Sequence, residues 1–371
     1  MFCFVVVEIF GHTYDFHFSK SFSVLVQNHR FVSYTFKEMI IFNMNLLRID
    51  HLQPNNNTII IYNHIFVNMK TLPKKFGDLV VKKRISSGHT SQVLLASYKD
   101  IPKVACKAIK KKDHENAIKK EAALMGQLQG IPHIPNLIGI IETRKYSFFI
   151  IEYYQGIKKS EFVSKINLFY MQKMLLFLLE TLRIIHTMKI VHRDIKFNNL
   201  LILEDFSDVF LIDWGSGKNV DHKMRSTPGT QYTRSPDMLL GNRKYECSCD
   251  IWATGVLIYT ILCNFKMPWY VKPTLKMIEI QIDYFGGKKF IRILKRLKLK
   301  LTDEVCALLV GHSEPTKKLE DEFDPEMKQK NLDDPDLVDL MKKLMEPDPT
   351  ERISADEALH HPFFMKEIKE E

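Results

Sequence analysis

His192-Arg193-Asp194-Ile195-Lys196-Phe197-Asn198-Asn199, followed by Leu211-Ile212-Asp213-Trp214-Gly215, is the part of the chain on which every other segment is read. It sets two carboxylates, a lysine and an amide in a fixed order, with short β-like runs between them. Moving a terminal phosphoryl group asks for such a set: a carboxylate near the attacking hydroxyl, a cation on the phosphate, and oxygen donors for a divalent metal. Positioned charge carries most of the catalysis in that chemistry. Ordinary solvated loop residues have no reason to fall in this order.

Working upstream, Val104-Ala105-Cys106-Lys107 reads as a strand ending in a lysine, and Glu121 lies in the helical segment that follows. Either residue alone is uninformative, because most Lys and Glu are solvated surface charges. Further upstream, Ile85-Ser86-Ser87-Gly88-His89-Thr90-Ser91-Gln92-Val93 joins two β-like runs through a single glycine. Glycine lets backbone amides approach a phosphate closely.

Together these motifs resemble those of eukaryotic serine/threonine protein kinases, over about Phe76 to Phe364. The first quoted stretch matches the HRDxKxxN catalytic loop, and Asp213-Trp214-Gly215 the metal-binding motif. VACK matches the VAIK strand, and residues 85–93 match GxGxxGxV with only the middle glycine kept. The resemblance implies roles for ATP and Mg²⁺. Asp194 orients the substrate hydroxyl and takes its proton, Lys196 steadies the transferring phosphate, and Asn199 and Asp213 hold the metal. Lys107 contacts the α- and β-phosphates and pairs with Glu121. Ile85, Ser86, Ser87, Gly88, His89, Thr90, Ser91, Gln92 and Val93 cover the nucleotide, and Glu152 and Tyr154 complete the ATP site.

Downstream, Gly229-Thr230 through Ser235-Pro236-Asp237 resembles the peptide-docking end of a kinase activation segment. Asp in place of Glu at 237 shortens the arm that would pair with Arg352, so a looser ion pair is expected. Asp250, at the start of a long apolar helix, is expected to bind the catalytic-loop backbone. Arg193 marks an activation segment ordered by an acidic group, with Ser226, Thr227 and Thr230 as candidate phosphosites. Lys196, two residues after Asp194, points to serine or threonine as the acceptor.

The expected fold is α+β and bilobal: a small β-rich N-lobe over about 76–154 and a larger helical C-lobe over about 155–364, within a kinase domain of 69–364. Strands are expected at Leu79 to Ile85, Gln92 to Ser97, Lys103 to Ile109, Leu137 to Glu142 and Ser147 to Tyr153, where β-branched and apolar residues cluster between polar turns. A lysine-rich helix is expected over Asp113 to Leu128, with Ala117, Ala122, Leu124 and Leu128 among its apolar positions. Residues 166–188 are apolar around most of a helix, as suits the centre of a lobe. More helices are expected at Asp250 to Leu262, Lys276 to Tyr284, Lys288 to Leu299, Asp336 to Met345 and Ala355 to Leu359. Residues 1–68 have a different texture, rich in Phe, Tyr, His and Asn. They are either an added β-rich extension or precede a start at Met44 or Met69. Residues 365–371 form a charged tail.

Composition narrows the classes. The 371 residues are 45% hydrophobic and 26% charged, ordinary for a globular protein. A net charge of +9 favours acidic partners and by itself does not establish nucleic-acid binding, which is not expected. Six cysteines without CxxC spacing argue for reduced thiols and an intracellular protein. The opening MFCFVVVEIF has no basic start and contains Glu8, so neither a signal peptide nor a membrane span is expected.

Two branches of the kinases share the likeness. Gly229 to Asp237, Asp250 to Leu262 and Ile278 to Phe290 resemble the cell division control protein 7 kinases, which start DNA replication with a regulatory activator subunit. Asp-Trp-Gly, Ser91 and the lysine-rich stretch Lys107 to Lys120 resemble casein kinase 2. The first is favoured and implies a nuclear cell-cycle role. Both imply protein substrates with acidic sites, for which Arg225, Arg234 and the basic run Lys288, Lys289, Arg292, Lys295, Arg296, Lys298 and Lys300 are candidates; the bland reading of that run is a solvated helix face. A pseudokinase scaffold and a small-molecule kinase are the rival readings.

Overall fold

The computed structural model describes residues 4–9, 12–17, 21–26, 30–35, 75–88, 91–112, 114–220, 229–242, 246–271, 274–299 and 303–369. The chain divides into two units, Met1–Thr71 and Leu72–Glu371. In the first, strands β1 (Phe4–Ile9) and β2 (His12–His17) pair antiparallel, as do β3 (Ser21–Val26) and β4 (Arg30–Thr35). Met44, Met69, His89, Thr90, Arg225, Ser226, Thr227 and Lys300 lie outside the described residues.

The second unit is α+β, a β-sheet lobe followed by a helical lobe. The sheet contains β5 (Lys75–Phe76), β6 (Leu79–Ser87), β7 (Ser91–Tyr98) and β8 (Ile101–Lys110). After helix α1 (Glu115–Gln127) it is completed by β9 (Leu137–Glu142) and β10 (Tyr146–Glu152), in the order β5-β6-β7-β8-β10-β9, with each neighbouring pair antiparallel. Alternation decides which side chains serve which face. Val104, Cys106 and Ala108 of β8 are buried with Leu94, Ala96, Phe148 and Ile150, so Ala105 and Lys107 lie on the opposite face.

Helix α1 buries Ile118, Glu121, Leu124 and Met125, the stripe expected at i, i+3 and i+7. Ala117, expected among its apolar positions, is exposed: it lies on the same side as Glu121 and Leu124 but in the first turn of the helix. The apolar segment 166–188 forms one helix, α3 (Leu168–Thr187), which starts where the Asn167 side chain accepts from the Tyr170 amide; a short helix, α2 (Lys159–Lys165), ends just before the segment.

The helical lobe centres on α3 and on the helix Ser248–Leu262, in which Asp250, Trp252, Val256, Tyr259 and Ile261 are all buried. Around them stand Thr274–Phe285, Gly287–Leu297, Pro335–Leu344 and Ala355–Leu359 near their expected positions, and Asp303–Gly311, which no sequence signal anticipated. Among the described residues no helix is long and apolar enough to cross a membrane.

The basic run on Gly287–Leu297 turns inward to its own lobe. Lys289 pairs with Glu346 at 2.7 Å, Arg292 with Glu351 at 3.7 Å, and Arg296 with Asp348 at 2.9 Å and Glu351 at 3.1 Å. Lys288 pairs with Glu314. Of the two readings of this run, a packed helix face is the one this pairing favours over a site for an acidic partner: four of its cations neutralise carboxylates that follow later in the chain.

Candidate active site

Lys107 projects from β8 on the face opposite the small-lobe core, and Glu121 sits on the buried stripe of α1, so strand and helix periodicity bring them together. The Lys107 Nζ lies 2.5 Å from Glu121 Oε1 and 2.7 Å from Asp213 Oδ1. Burial disfavours the Lys107 ammonium, but the two carboxylates outweigh it and raise its pKa. Burial also pushes the Glu121 carboxyl up, beyond what Lys107 pulls down. For Asp213 the balance reverses: burial would raise it, yet Lys107 holds it below the usual carboxylate range.

Asp213 adopts a left-handed backbone (φ 65°), as does Arg193 (φ 66°), conformations that cost L-residues roughly 1–2 kcal/mol each. The surroundings hold both. The buried Asp250 carboxylate accepts from the amides of His192 at 2.8 Å and Arg193 at 2.7 Å, and from His186 Nε2 at 3.1 Å. His192 stands edge-on to Trp214, with its Nε2 3.1 Å from the Ile212 carbonyl oxygen. The expected role of Asp250 as an anchor of this loop is what the geometry shows.

Asp194 Oδ1 accepts from the amide of Thr230 at 2.9 Å and its hydroxyl at 2.7 Å. Its Oδ2 accepts from Lys196 Nζ at 2.8 Å and Asn199 Nδ2 at 3.0 Å. Lys196 also donates to Thr230 Oγ1 at 2.8 Å. Gly229 makes this approach feasible: its φ is +82°, and a Cβ there would fall 2.1 Å from the Arg193 carbonyl oxygen. No other residue type fits that position without moving the loop.

A cleft of about 560 Å³ opens between the sheet and the helical lobe. Of the expected nucleotide residues, Ile85, Ser86, Ser87, Gly88, Ser91, Val93, Lys107, Glu152, Tyr154, Asn199 and Asp213 line it. Glu121 stands behind Lys107 rather than in the lining. His89 and Thr90 are outside the described residues. Gln92 is not in the lining: alternation turns it, with Leu94 and Ala96, to the buried side of β7, while Ser91 and Val93 meet the cleft. The covering loop is also shorter than the motif suggests. Strands run to Ser87 and from Ser91, and the Gly88 amide donates to the Ser91 carbonyl at 2.8 Å.

Glu152 lines the cleft, but its carboxylate is committed elsewhere: Oε2 accepts from Asn136 N at 2.9 Å, Asn136 Nδ2 at 3.2 Å and the Tyr154 hydroxyl at 3.3 Å. The apolar walls, Ala105, Met125, Ile151, Leu201 and Ile212, were not singled out in the sequence. Ala105 was available from alternation, two residues before Lys107, and Leu201 and Ile212 from their nearness to Asn199 and Asp213.

Asp237 and Arg352 come together, loosely. Arg352 Nη2 lies 3.8 Å from Asp237 Oδ1 and donates to the Pro347 carbonyl oxygen at 3.0 Å, while Nη1 and Nε donate to the carbonyl oxygens of Ser248 and Glu346, each at 2.7 Å. Asp237 Oδ2 accepts from Asn242 Nδ2 at 2.8 Å. The shorter acid thus holds a local amide in place of a close guanidinium.

A two-lobed α+β unit with one lysine bridging a helix glutamate and a loop aspartate defines a class, and the chain belongs to it: the protein kinase domain family, whose family model matches residues 79–364. The family is one of enzymes that in general use ATP and a divalent metal. Among its relatives is mitogen-activated protein kinase mpkC of Aspergillus terreus, 26% identical over 77% of this chain and 69% of that protein. Calcium-dependent protein kinase 3 of Plasmodium berghei is 27% identical over 71% of this chain and 42% of that protein. Mitogen-activated protein kinase HOG1 of Eremothecium gossypii is 27% identical over 77% of this chain and 57% of that protein. The chain therefore spans 42% to 69% of the length of these relatives.

Proposed function

We propose that the chain transfers the γ-phosphoryl group of ATP to serine or threonine hydroxyls of proteins. The observation that carries this reading is the joining of Lys107 to both Glu121 and Asp213, 14 and 106 residues away in sequence. A scaffold that had abandoned catalysis has no need of that three-residue ion chain.

In this reading the apolar walls Ala105, Ile151 and Leu201 take the adenine, and Lys107, fixed by Glu121, meets the α- and β-phosphates. The donor set Asn199 and Asp213 suits Mg²⁺: hard oxygens, few in number, completed by phosphates and water. Asn199 donates its amide nitrogen to Asp194 O at 2.8 Å, which leaves the amide oxygen for the metal. Mg²⁺ would supply charge neutralisation of the phosphates. Asp194 takes the proton as the substrate oxygen bonds to γ-phosphorus, the bond from γ-phosphorus to the bridging oxygen breaks, and ADP leaves with the electron pair. Lys196 offsets charge on the transferring phosphate.

Within the class we read the chain as an acidophilic cell-cycle kinase of the cell division control protein 7 type, acting in the nucleus with an activator subunit. Gly229 to Asp237, Asp250 to Leu262 and Ile278 to Phe290 support that placement. Casein kinase 2, on Asp213-Trp214-Gly215 and Ser91, is the alternative.

The test is transfer from labelled ATP and Mg²⁺ to a serine/threonine peptide library, by the full chain and by Asp194→Asn. Incorporation lost in the variant supports the reading. A folded chain that transfers to no peptide, with and without a candidate activator, would overturn it in favour of a scaffold.

A further inference from the structure

A second groove, of about 380 Å³, adjoins the cleft, and Asn198 lines both. Its apolar floor includes Phe197 and Phe265, whose rings meet edge to face at 4.9 Å. Three lysines, Lys159, Lys196 and Lys266, line it, and no carboxylate does. Two of them are already matched: Lys196 by Asp194 at 2.8 Å and Lys266 by Asp324 at 3.3 Å. Lys159 has no carboxylate partner among the described residues. Its ammonium lies 3.8 Å from the centroid of Phe265.

That contact orients the charge. An ammonium over an aromatic face is held electrostatically, and its methylene stem covers apolar surface while the head stays in water. Lys159 is thus a pre-positioned cation at the rim of an aromatic-floored groove that runs from Lys196. The shape suits a side chain with an apolar body and an anionic tip.

We propose that this groove, with Lys159 at its rim, selects substrates bearing an anionic side chain, glutamate or a phosphorylated residue, close to the accepted hydroxyl. The proposal rests on the protein phosphotransferase reading and names the residue behind its acidic preference. With the basic helix Gly287–Leu297 engaged in its own ion pairs, Lys159 is the cation best placed to set that preference.

The experiment uses the full chain and peptides in which glutamate, phosphoserine, glutamine or lysine is scanned through each position flanking one serine. The readout is the ratio of kcat/KM for each anionic peptide to its glutamine match, which cancels any partial loss of folded enzyme. At one position the wild-type ratio should exceed unity by about five-fold, the size of a partly exposed ion pair. Lys159→Met should bring it to near one, and Lys159→Glu should invert it in favour of lysine. A phosphoserine ratio above the glutamate ratio would identify a primed substrate; the reverse, an intrinsically acidic one. A preference that survives both variants, or no preference at any position, overturns the proposal. Binding of the same peptides, labelled with a fluorophore and measured without ATP, separates the two levels. Peptide binding that depends on Lys159 without transfer would overturn the phosphotransferase reading and support the groove. Binding indifferent to Lys159 would overturn the groove whatever the transfer rate.

Discussion

The Lys107 ammonium sits 2.5 Å from Glu121 Oε1, and this one contact ties the third long strand of the sheet to the helix that follows it. The pair is nearly buried, at 12% and 8% side-chain exposure, so breaking it strands a charge out of water. Glu121→Gln should keep the fold and lower kcat by about 100-fold, the cost of a lysine displaced by an ångström or so. Steady-state kinetics on any accepted peptide, with circular dichroism as the folding control, checks it.

Thr230 donates twice to Asp194, through its amide and its hydroxyl. Thr230→Val removes the hydroxyl bond to Asp194 and the acceptor for Lys196, and leaves the carboxylate with its amide, Lys196 and Asn199 contacts. A loss of about ten-fold in kcat/KM is expected, in line with roughly 1.5 kcal/mol for one hydrogen bond to a charged group. Asp194→Asn should cost at least about 100-fold. Equal effects of the two substitutions would mean that Thr230 has a role beyond positioning Asp194.

Asp237 is the carboxylate beside the buried Arg352 guanidinium, 3.8 Å away. Asp237→Ala leaves that cation without its counter-charge and should destabilise the domain by about 3 kcal/mol. Chemical denaturation of the variant against wild type, at constant slope with denaturant, measures it.

Acid should weaken the helical lobe in two stages. Burial pushes His192 below its ordinary value of 6.5. Burial would raise Asp250, but the bonds from His186 and the His192 amide outweigh it and hold its carboxyl below 3.8. In both cases the unfolded chain binds the proton more readily, so the stability is present above the unfolded value and lost as pH falls. Thermal unfolding should therefore shift down from about pH 6.5 for His192, and again below about pH 3.8 for Asp250. His192→Asn should remove the first shift and leave the second.

Arg296 bridges to Asp348 and Glu351 from the basic helix. Arg296→Ala should lower stability by about 1 kcal/mol, as for a half-exposed ion pair, with no change in the preference for acidic peptides. A changed preference with unchanged stability would return this helix to the substrate side.

Much of this was legible in the chain. HRDIKFNN and IDWG announced the catalytic loop and metal motif, and order and spacing relative to them picked out Lys107 and Glu121. The faces on which these two stand follow the strand and helix periods of β8 and α1. These are local properties, written in a period of two or 3.6 residues and therefore visible along the sequence. Motif matching ignored that period at one place: Gln92 was read with the loop, but its strand turns it inward.

What the sequence determined by itself is the class of the protein, the order of its elements and the identity of the charged residues that meet in the cleft. Beyond Lys107 with Glu121 and Asp237 with Arg352, the tertiary structure decided which charges neutralise one another. Glu152 lines the cleft as expected, with one carboxylate oxygen held by Asn136, and the basic helix meets Glu346, Asp348 and Glu351 of its own lobe. Lys159, which no sequence motif singles out, is set over Phe265 by the fold. The reason is physical: a charge acts on whatever lies within a few ångströms, and across tens of residues only the folded chain sets that distance.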